Sequence, residues 1–554
     1  METLFDRHRA TLEAALAAAR DRGFWSAYPE VPSGKIYGET AKDEGLQAYE
    51  ARLNRPFSLP RHPATGSVGA EVSPYGPALG ISYPANGAET LVAASLEAAP
   101  AWAAATPEAR AGICIEILSR LNRMSFEMAN AVMHTTGQAF AMAFQAGGPH
   151  AQDRGLEAVA YAYAEMTRAP KSAVWSKPQG KAEPIVLEKH WRVVPRGVSL
   201  IIGCQTFPTW NSYPGFFASL ATGNTVIVKP HPGAILPLAL TVVVARAVLE
   251  EQGYSADVVL LAADRAEAPI TAALVVHPAV RIVDYTGSNA FGAWVRANAG
   301  DAQVYTEEAG VNSIVIAATD DFKGMCANVA FSLSLYSGQM CTSPQNIYVP
   351  RGGIDTNEGH KSFNEVAGGV AAAIDELLAD PARAAGVCGA IANPATLARV
   401  EVARGLGRIM RDSETLAGLD GARSATPLIV AVDGASSEVQ NEERFGPITF
   451  VIAVESGKEG IAKASMLARH KGAITAALYA TDETLIEEAA DAFASAGVNL
   501  SVNLTGNIFV NQSAAFSDFH VTGGNPAGNA SLTDTAFVAN RFRLAMWRRP
   551  KTGK

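Results

Sequence analysis

Apolar residues recur along this chain with two different spacings. Over residues 4–22 they return every three or four positions among Ala, Arg and Glu, which predicts an amphipathic helix. Prolines and glycines punctuate residues 29–84 and predict irregular or extended chain. Helical spacing resumes over 88–104 and 107–127. From Val193 the pattern changes to short continuous apolar runs divided by helical stretches, the mark of parallel βαβ units. Strands are predicted at 198–202, 225–228, 258–261 and 282–285, with helices at 213–221 and 236–251. A second alternation follows Gly310, with strands at 313–317, 346–349, 427–430 and 449–454 and helices at 322–335 and 360–378. The pattern predicts an α/β protein of two doubly wound domains joined at the Glu307 segment. Residues 185–189 and 190–194 can pair as a hairpin or form a plain surface ribbon. Residues 537–544 alternate as an edge strand does, or begin a disordered tail.

Composition narrows the class. The 554 residues exceed what one compact core accommodates. With 48% hydrophobic and 18% charged residues the chain is ordinary globular protein. Net charge is −9, and no Lys/Arg run is long enough for a nucleic-acid face. The five cysteines (114, 204, 326, 341 and 388) show no CxxC pair and no metal-ligand spacing, so no metal and no disulfide are expected. The N-terminus carries charge where a signal peptide needs an apolar core. The best apolar stretch, 235–249, is too short for a bilayer. A soluble, cytoplasmic protein is expected.

One thiol stands apart. Cys341 sits in Ser337-Gly338-Gln339-Met340-Cys341-Thr342, after a predicted helix and in a loop, where backbone amides can lower a thiol's pKa. A free cysteine is more often a buried structural residue, and the other four keep that reading. Upstream, Glu307-Glu308-Ala309-Gly310-Val311-Asn312 supplies carboxylates, with Glu307 34 positions before Cys341. Gly287 and Ser288, between a strand and a helix, allow close backbone approach and turn a helix N-terminus toward a pyrophosphate. No GxGxxG follows these strands, which disfavours an ordinary Rossmann dehydrogenase.

The Gly-Gln-x-Cys loop and the Glu-x-x-Gly-x-Asn segment at this separation resemble the catalytic pair of the aldehyde dehydrogenase superfamily. The resemblance spans roughly residues 80–515. It implies that a Cys341 thiolate adds to an aldehyde carbonyl, that hydride passes to a nicotinamide, and that Glu307 activates the hydrolytic water. Glu308 competes for the base role, but the Asn312 frame favours Glu307. Counting back from Lys229 without gaps places Thr206 where the family has its oxyanion Asn, with Asn211 as the alternative donor. Gly223-Asn224-Thr225-Val226-Ile227-Val228-Lys229-Pro230 resembles the strand whose Lys reaches the adenosine ribose. NAD-preferring members often carry Glu three places on, where this chain has Pro232, so NADP or NAD is expected with NADP favoured. Glu443 and Phe445, in Glu442-Glu443-Arg444-Phe445-Gly446-Pro447, resemble the pair that holds the nicotinamide ribose and packs by the ring.

The resemblance implies a dinucleotide-binding domain over 1–306, interrupted by an oligomerisation hairpin near 181–195. It further implies a catalytic domain over 307–510 and an oligomerisation segment over 511–554, hence a homodimer or homotetramer. The Thr206 loop, the Glu307-Glu308 segment and the tail Phe509-Val510-Asn511-Gln512-Ser513 through His520 look like the PaaN-type branch of bacterial phenylacetic acid degradation. That branch implies an aldehyde from aromatic catabolism, with a CoA-linked semialdehyde among the candidates. Two other readings stay open: a CoA-acylating aldehyde dehydrogenase, and a cofactor-binding protein of the same fold without turnover.

Overall fold

A computed structural model describes residues 2–551 except Ala309 and 435–437. Ala309, part of the Glu307 motif, and the last three residues of the C-terminal segment therefore lie outside the described residues.

Two helix-covered sheets carry the fold. The first has five parallel strands in the order Val259–Leu261, Thr225–Lys229, Val198–Ile202, Val280–Gly287, Gln303–Glu308. The chain winds outward from Val198–Ile202 and then restarts on its other side. This creates a switch point, and ligands bind open α/β sheets outside the carboxyl ends at such points. The second sheet has seven strands in the order Arg408–Arg411, Leu428–Asp433, Ile448–Val454, Pro344–Pro350, Asn312–Ile316, Thr475–Tyr479, Asn499–Val502. Only its Arg408–Arg411 edge is antiparallel.

Central strands buried on both faces read as continuous apolar runs. In the second sheet Val430 and Phe450 face one core, while Ile429 and Val451 face the other. The first sheet does likewise, with Val228 on one side and Ile227 on the other. Each fully buried side chain of this size contributes roughly 1.5–3 kcal/mol. Phe516, Phe537 and Phe542 pack into the first sheet's core, so much of the C-terminal segment folds back onto the body.

The strand carrying Glu307 and Glu308 belongs to the first sheet, whereas Asn312 opens the second. The connection is tight. A Cβ at Gly310 would meet the Gly472 carbonyl oxygen at 2.5 Å, and Val311 N–H donates to that same oxygen at 2.7 Å.

Several expectations need correction. Residues 185–194 are not a hairpin but part of one long strand, Ala182–Pro195, which pairs antiparallel with Ser172–Gln179 and with Phe542–Pro550. The turn falls at Gly180, whose φ of 63° suits glycine. The edge strand expected at 537–544 begins only at Phe542, because Thr535–Ala539 is helical with Asp534 as its cap. The segment expected to be irregular contains a helix, Ala41–Glu50. The helix expected over 107–127 is two, Pro107–Arg123 and Ser125–Thr136, divided at Met124. The helix expected from residue 360 starts at Phe363, where Ser362 and Glu365 form a capping box. Among the described residues no helix is long and apolar enough to cross a membrane.

Candidate active site

Cys341 lies between a strained turn and a strand. Tyr336, Ser337 and Gly338 all have positive φ (52°, 49° and 64°), which costs energy at the two non-glycine positions. Neighbours over-determine the turn. The Tyr336 hydroxyl donates to the Thr136 carbonyl, and the Ser337 hydroxyl reaches the Cys388 and Ala425 carbonyls at 3.2 and 2.8 Å. Past Cys341, the Asn312 amide donates to the Cys341 and Ser343 carbonyls at 2.7 and 3.0 Å, and its oxygen accepts from the Ile474 and Thr475 N–H groups. Asn312 thereby fastens the thiol loop to the second sheet.

Successive strand residues point to opposite faces, which separates the two glutamates. Glu308 turns to Arg296 and pairs with it. Glu307 turns the other way, its Oε1 3.3 Å from Cys341 Sγ. Its Oε2 accepts from Asn211 Nδ2 at 2.9 Å, and His520 Nε2 lies 3.0 Å from Oε1. Burial alone would raise the Glu307 carboxyl, but the facing His520 and the hydrogen bonds from Cys341 and Asn211 leave it below its ordinary value. Atoms crowding the Cys341 sulfur push its thiol well above the ordinary value, and Glu307 adds to this.

Thr206 lies in the loop after the Val198–Ile202 strand, its carbonyl accepting from Gln138 Nε2 at 2.8 Å and its hydroxyl 3.9 Å from Cys204 Sγ. Asn211, in the first turn of the helix Pro208–Ala221, is engaged on both atoms: its amide donates to Glu307 and its oxygen lies 3.6 Å from Cys204 Sγ.

The expected cofactor residues gather along the carboxyl edge of the first sheet. Lys229 ends its strand in register with Ile202, and Ile202 is also in register with Tyr285, two residues before Gly287. Lys229 Nζ lies 2.8 Å from Asp264 Oδ1, a partner the sequence did not single out. Burial lowers the Lys229 pKa, and Asp264 opposes the shift. Gly287 closes the Val280–Gly287 strand, and a Cβ there would come within 2.4 Å of the Tyr285 hydroxyl oxygen. Ser288 caps the helix Asn289–Asn298, its hydroxyl 3.4 Å from the Phe291 N–H.

Glu443 and Phe445 come from the second sheet's side. Gln345 accepts from Arg444 N–H and donates to the Glu442 carbonyl, and Arg399 donates to the Phe445 carbonyl at 3.0 Å. Burial pushes the Glu443 carboxyl up to about 7, with Arg399 pulling the other way. Its charge adds to the rise at Cys341. A cationic side chain and a capped helix N-terminus at the carboxyl edge of one sheet fit a dinucleotide.

His520 was given no role by the sequence. Its Nε2 is 3.7 Å from Cys341 Sγ, and Glu307, Cys341 and His520 each place one side-chain atom within 4.8 Å of the other two. The only sequence signal was its place at the end of the tail that set this chain apart from the wider family.

The aldehyde dehydrogenase family profile matches residues 71–524. The crystal structure of an NAD-dependent aldehyde dehydrogenase from Burkholderia multivorans superposes with a TM-score of 0.98 at 53% identity, covering 100% of both chains. A 1-pyrroline-5-carboxylate dehydrogenase of Bacillus subtilis (strain 168) is 24% identical over 79% of this chain and 81% of its own. An N-succinylglutamate 5-semialdehyde dehydrogenase of Burkholderia mallei (strain SAVP1) is 26% identical over 78% of this chain and 82% of its own. With the family profile spanning most of its length, the chain belongs to the aldehyde dehydrogenase family and is an oxidoreductase of that family.

Proposed function

We propose that this protein oxidises an aldehyde to its carboxylic acid with NAD(P), Cys341 carrying the acyl group and Glu307 activating water. The observation that carries the proposal is the 3.3 Å contact between Cys341 Sγ and a buried Glu307 carboxylate. In the first half-reaction the Cys341 proton moves to Glu307 and sulfur bonds to the carbonyl carbon. The Thr206 hydroxyl and the Cys341 backbone N–H are the donors for the oxygen that gains charge. Asn211 is already committed to Glu307, which supports Thr206 in that role. Lys229, Gly287, Ser288, Glu443 and Phe445 would hold the dinucleotide, which would supply the hydride acceptor. Before hydrolysis Glu307 releases the Cys341 proton to solvent. It then takes a proton from water, the hydroxide adds to the thioester carbon, the C–S bond breaks, and the proton on Glu307 returns to the Cys341 sulfur. A carboxyl held below its ordinary value is ionised at neutral pH and ready for that task.

The base also supports water over CoA as acyl acceptor, since relatives that transfer to CoA generally lack this carboxylate. Product analysis, free acid against acyl-CoA, separates the two. NAD use draws support from the Burkholderia multivorans relative. Pro232 removes one carboxylate from the ribose region, but Asp264 beside Lys229 keeps a negative charge there. Both dinucleotides are therefore accepted, and the NADP preference read from Pro232 alone is offset.

The semialdehyde dehydrogenase among the relatives supports a semialdehyde substrate. The resemblance of the tail narrows it to one formed in aromatic, phenylacetate-type catabolism, with a CoA-linked semialdehyde among the candidates. The domain division, a cytoplasmic location and a homodimer or homotetramer belong to the same proposal. Val174, Val194 and Met546, exposed on the three-stranded ribbon, support assembly through it.

A panel of aliphatic, aromatic and CoA-linked semialdehydes with each dinucleotide, followed at the reduced nicotinamide absorbance, tests this reading. Cys341→Ser must bind dinucleotide and lose turnover by orders of magnitude. Unchanged turnover, or equal loss in Cys204→Ser, would overturn it.

A further inference from the structure

We propose that His520 is a positioning residue whose Nε2–H follows the negative charge as the proton passes between Cys341 and Glu307, and that Arg154 and Ser513 hold it in the tautomer this requires. The inference rests on the reading of Cys341 as nucleophile and adds a third group to the pair.

The geometry is a directed chain of donors. Arg154, 1% exposed, donates from Nη2 to Ser513 Oγ at 3.1 Å. With that lone pair used, the Ser513 hydroxyl hydrogen is free to donate to His520 Nδ1, 3.3 Å away. An imidazole that accepts at Nδ1 carries its hydrogen at Nε2. That hydrogen faces Glu307 Oε1 at 3.0 Å and Cys341 Sγ at 3.7 Å, while Oε1 and Sγ are 3.3 Å apart. One N–H thus stands over both ends of the proton's path. The Trp210 ring packs edge-on against the imidazole with centroids 4.5 Å apart, and the residue is 5% exposed, so the ring has a fixed seat.

The exchange balances without any further reactant. In the resting state Cys341 is a thiol donating to the Glu307 carboxylate, and His520 donates to that carboxylate too. When the S–H bond breaks and the O–H bond forms, the charge moves to sulfur. The His520 hydrogen bond then turns from oxygen to sulfur, with no change in the protonation of His520. A buried ion without a donor is costly, and this arrangement gives each anionic state one.

Other charged groups face the cluster from every side. Glu157 on the Pro149–Thr167 helix pairs with Arg154 at 2.9 Å, so the guanidinium's charge is balanced and it serves as a donor. The Asp518 carbonyl accepts from Arg154 at 3.1 Å and ties the tail to that helix. Glu443 acts on Cys341 through its charge and opposes thiolate formation, while burial pushes the neighbouring Cys204 thiol up to about 11. None of these groups offers a hydrogen to the sulfur, which leaves His520 as the side chain placed to do so.

The test reads the thiol itself and needs no turnover. Iodoacetamide alkylation of Cys341 in the full-length protein, located by peptide mass spectrometry, is followed against pH. The doubly ionised pair, thiolate beside carboxylate, needs the donor more than the resting thiol–carboxylate state does, so removing His520 destabilises the thiolate form the more. In His520→Phe, which keeps ring size, the alkylation midpoint should therefore rise by about one to two pH units. His520→Gln, whose amide places an N–H near the Nε2 position, should restore most of the shift. Ser513→Ala, which frees the tautomer, should move the midpoint in the same direction by less. A His520→Phe midpoint equal to the parent's would overturn the inference, as would Phe and Gln variants equally displaced, the mark of a packing role. Failure of the underlying reading looks different: it would appear as Cys341→Ser turnover, which none of these outcomes predicts.

Discussion

Asn211 and Glu307 are joined side chain to side chain, the amide nitrogen donating across 2.9 Å to the carboxylate oxygen that does not face Cys341. The amide thus supports the base rather than a substrate oxygen. Asn211→Ala removes a donor from an ionised group, so the Glu307 pKa rises. A base works only when ionised, so the acid limb of the hydrolytic rate should move to higher pH by about one unit. Thr206→Val should leave that limb in place and lower turnover about a hundred- to a thousandfold, the usual effect of losing an oxyanion donor. Limbs measured from pH–rate profiles of the two variants check this. A neutral Thr206→Val beside an Asn211→Ala that loses turnover at all pH values would exchange the two roles.

Glu307 and Glu308 are neighbours on one strand with different surroundings. Glu307→Gln removes the acceptor of the Cys341 proton as well as the hydrolytic base, so it should release one slowed burst of reduced nicotinamide and then stall as the thioester, visible as a mass adduct on Cys341. Glu308→Gln breaks the ion pair with Arg296 and should slow the steady state only mildly. A stall in Glu308→Gln would show that the strand register is off by one.

Asp264 sets the charge beside Lys229. Asp264→Asn leaves the ammonium uncompensated where a 2′-phosphate would lie. The ratio of kcat/KM for NADP to that for NAD should rise severalfold, measured with one aldehyde at saturation. An unchanged ratio would place the ribose elsewhere.

Arg541 fixes the C-terminal segment to the first sheet. It is fully buried, pairs with Asp284 at 2.6 and 2.7 Å, and stacks on Tyr305 and Phe537 with centroids 4.4 and 4.1 Å away. Removing one partner leaves a buried charge alone, so Arg541→Ala should cost about 3–5 kcal/mol in denaturant unfolding. A loss below 1 kcal/mol would mean that water reaches Asp284.

The parallel strands were legible because strands buried on both faces read as unbroken apolar runs, as in Thr225–Lys229 and Ile448–Val454. The 182–195 strand was not, since its exposed faces relax the alternation that marks a strand and its partner Phe542–Pro550 is far along the chain. Cys341 and Glu307 announce themselves through local motifs. His520 does not, because Glu307 and Cys341, which it meets, and Arg154, which engages its tail neighbour Ser513, come from three distant stretches that only tertiary packing unites. Asp264 was hidden likewise, a lone carboxylate in a loop, paired to Lys229 only when the two strand ends meet.

Gly310 leaves no room for a side chain between the strand that bears the acid and the sheet that bears the thiol. The two reacting groups therefore ride on different bodies, and their separation is a measure of how those bodies are aligned. The 3.3 Å between sulfur and carboxylate is thus a vernier reading of how the two sheets are set against each other.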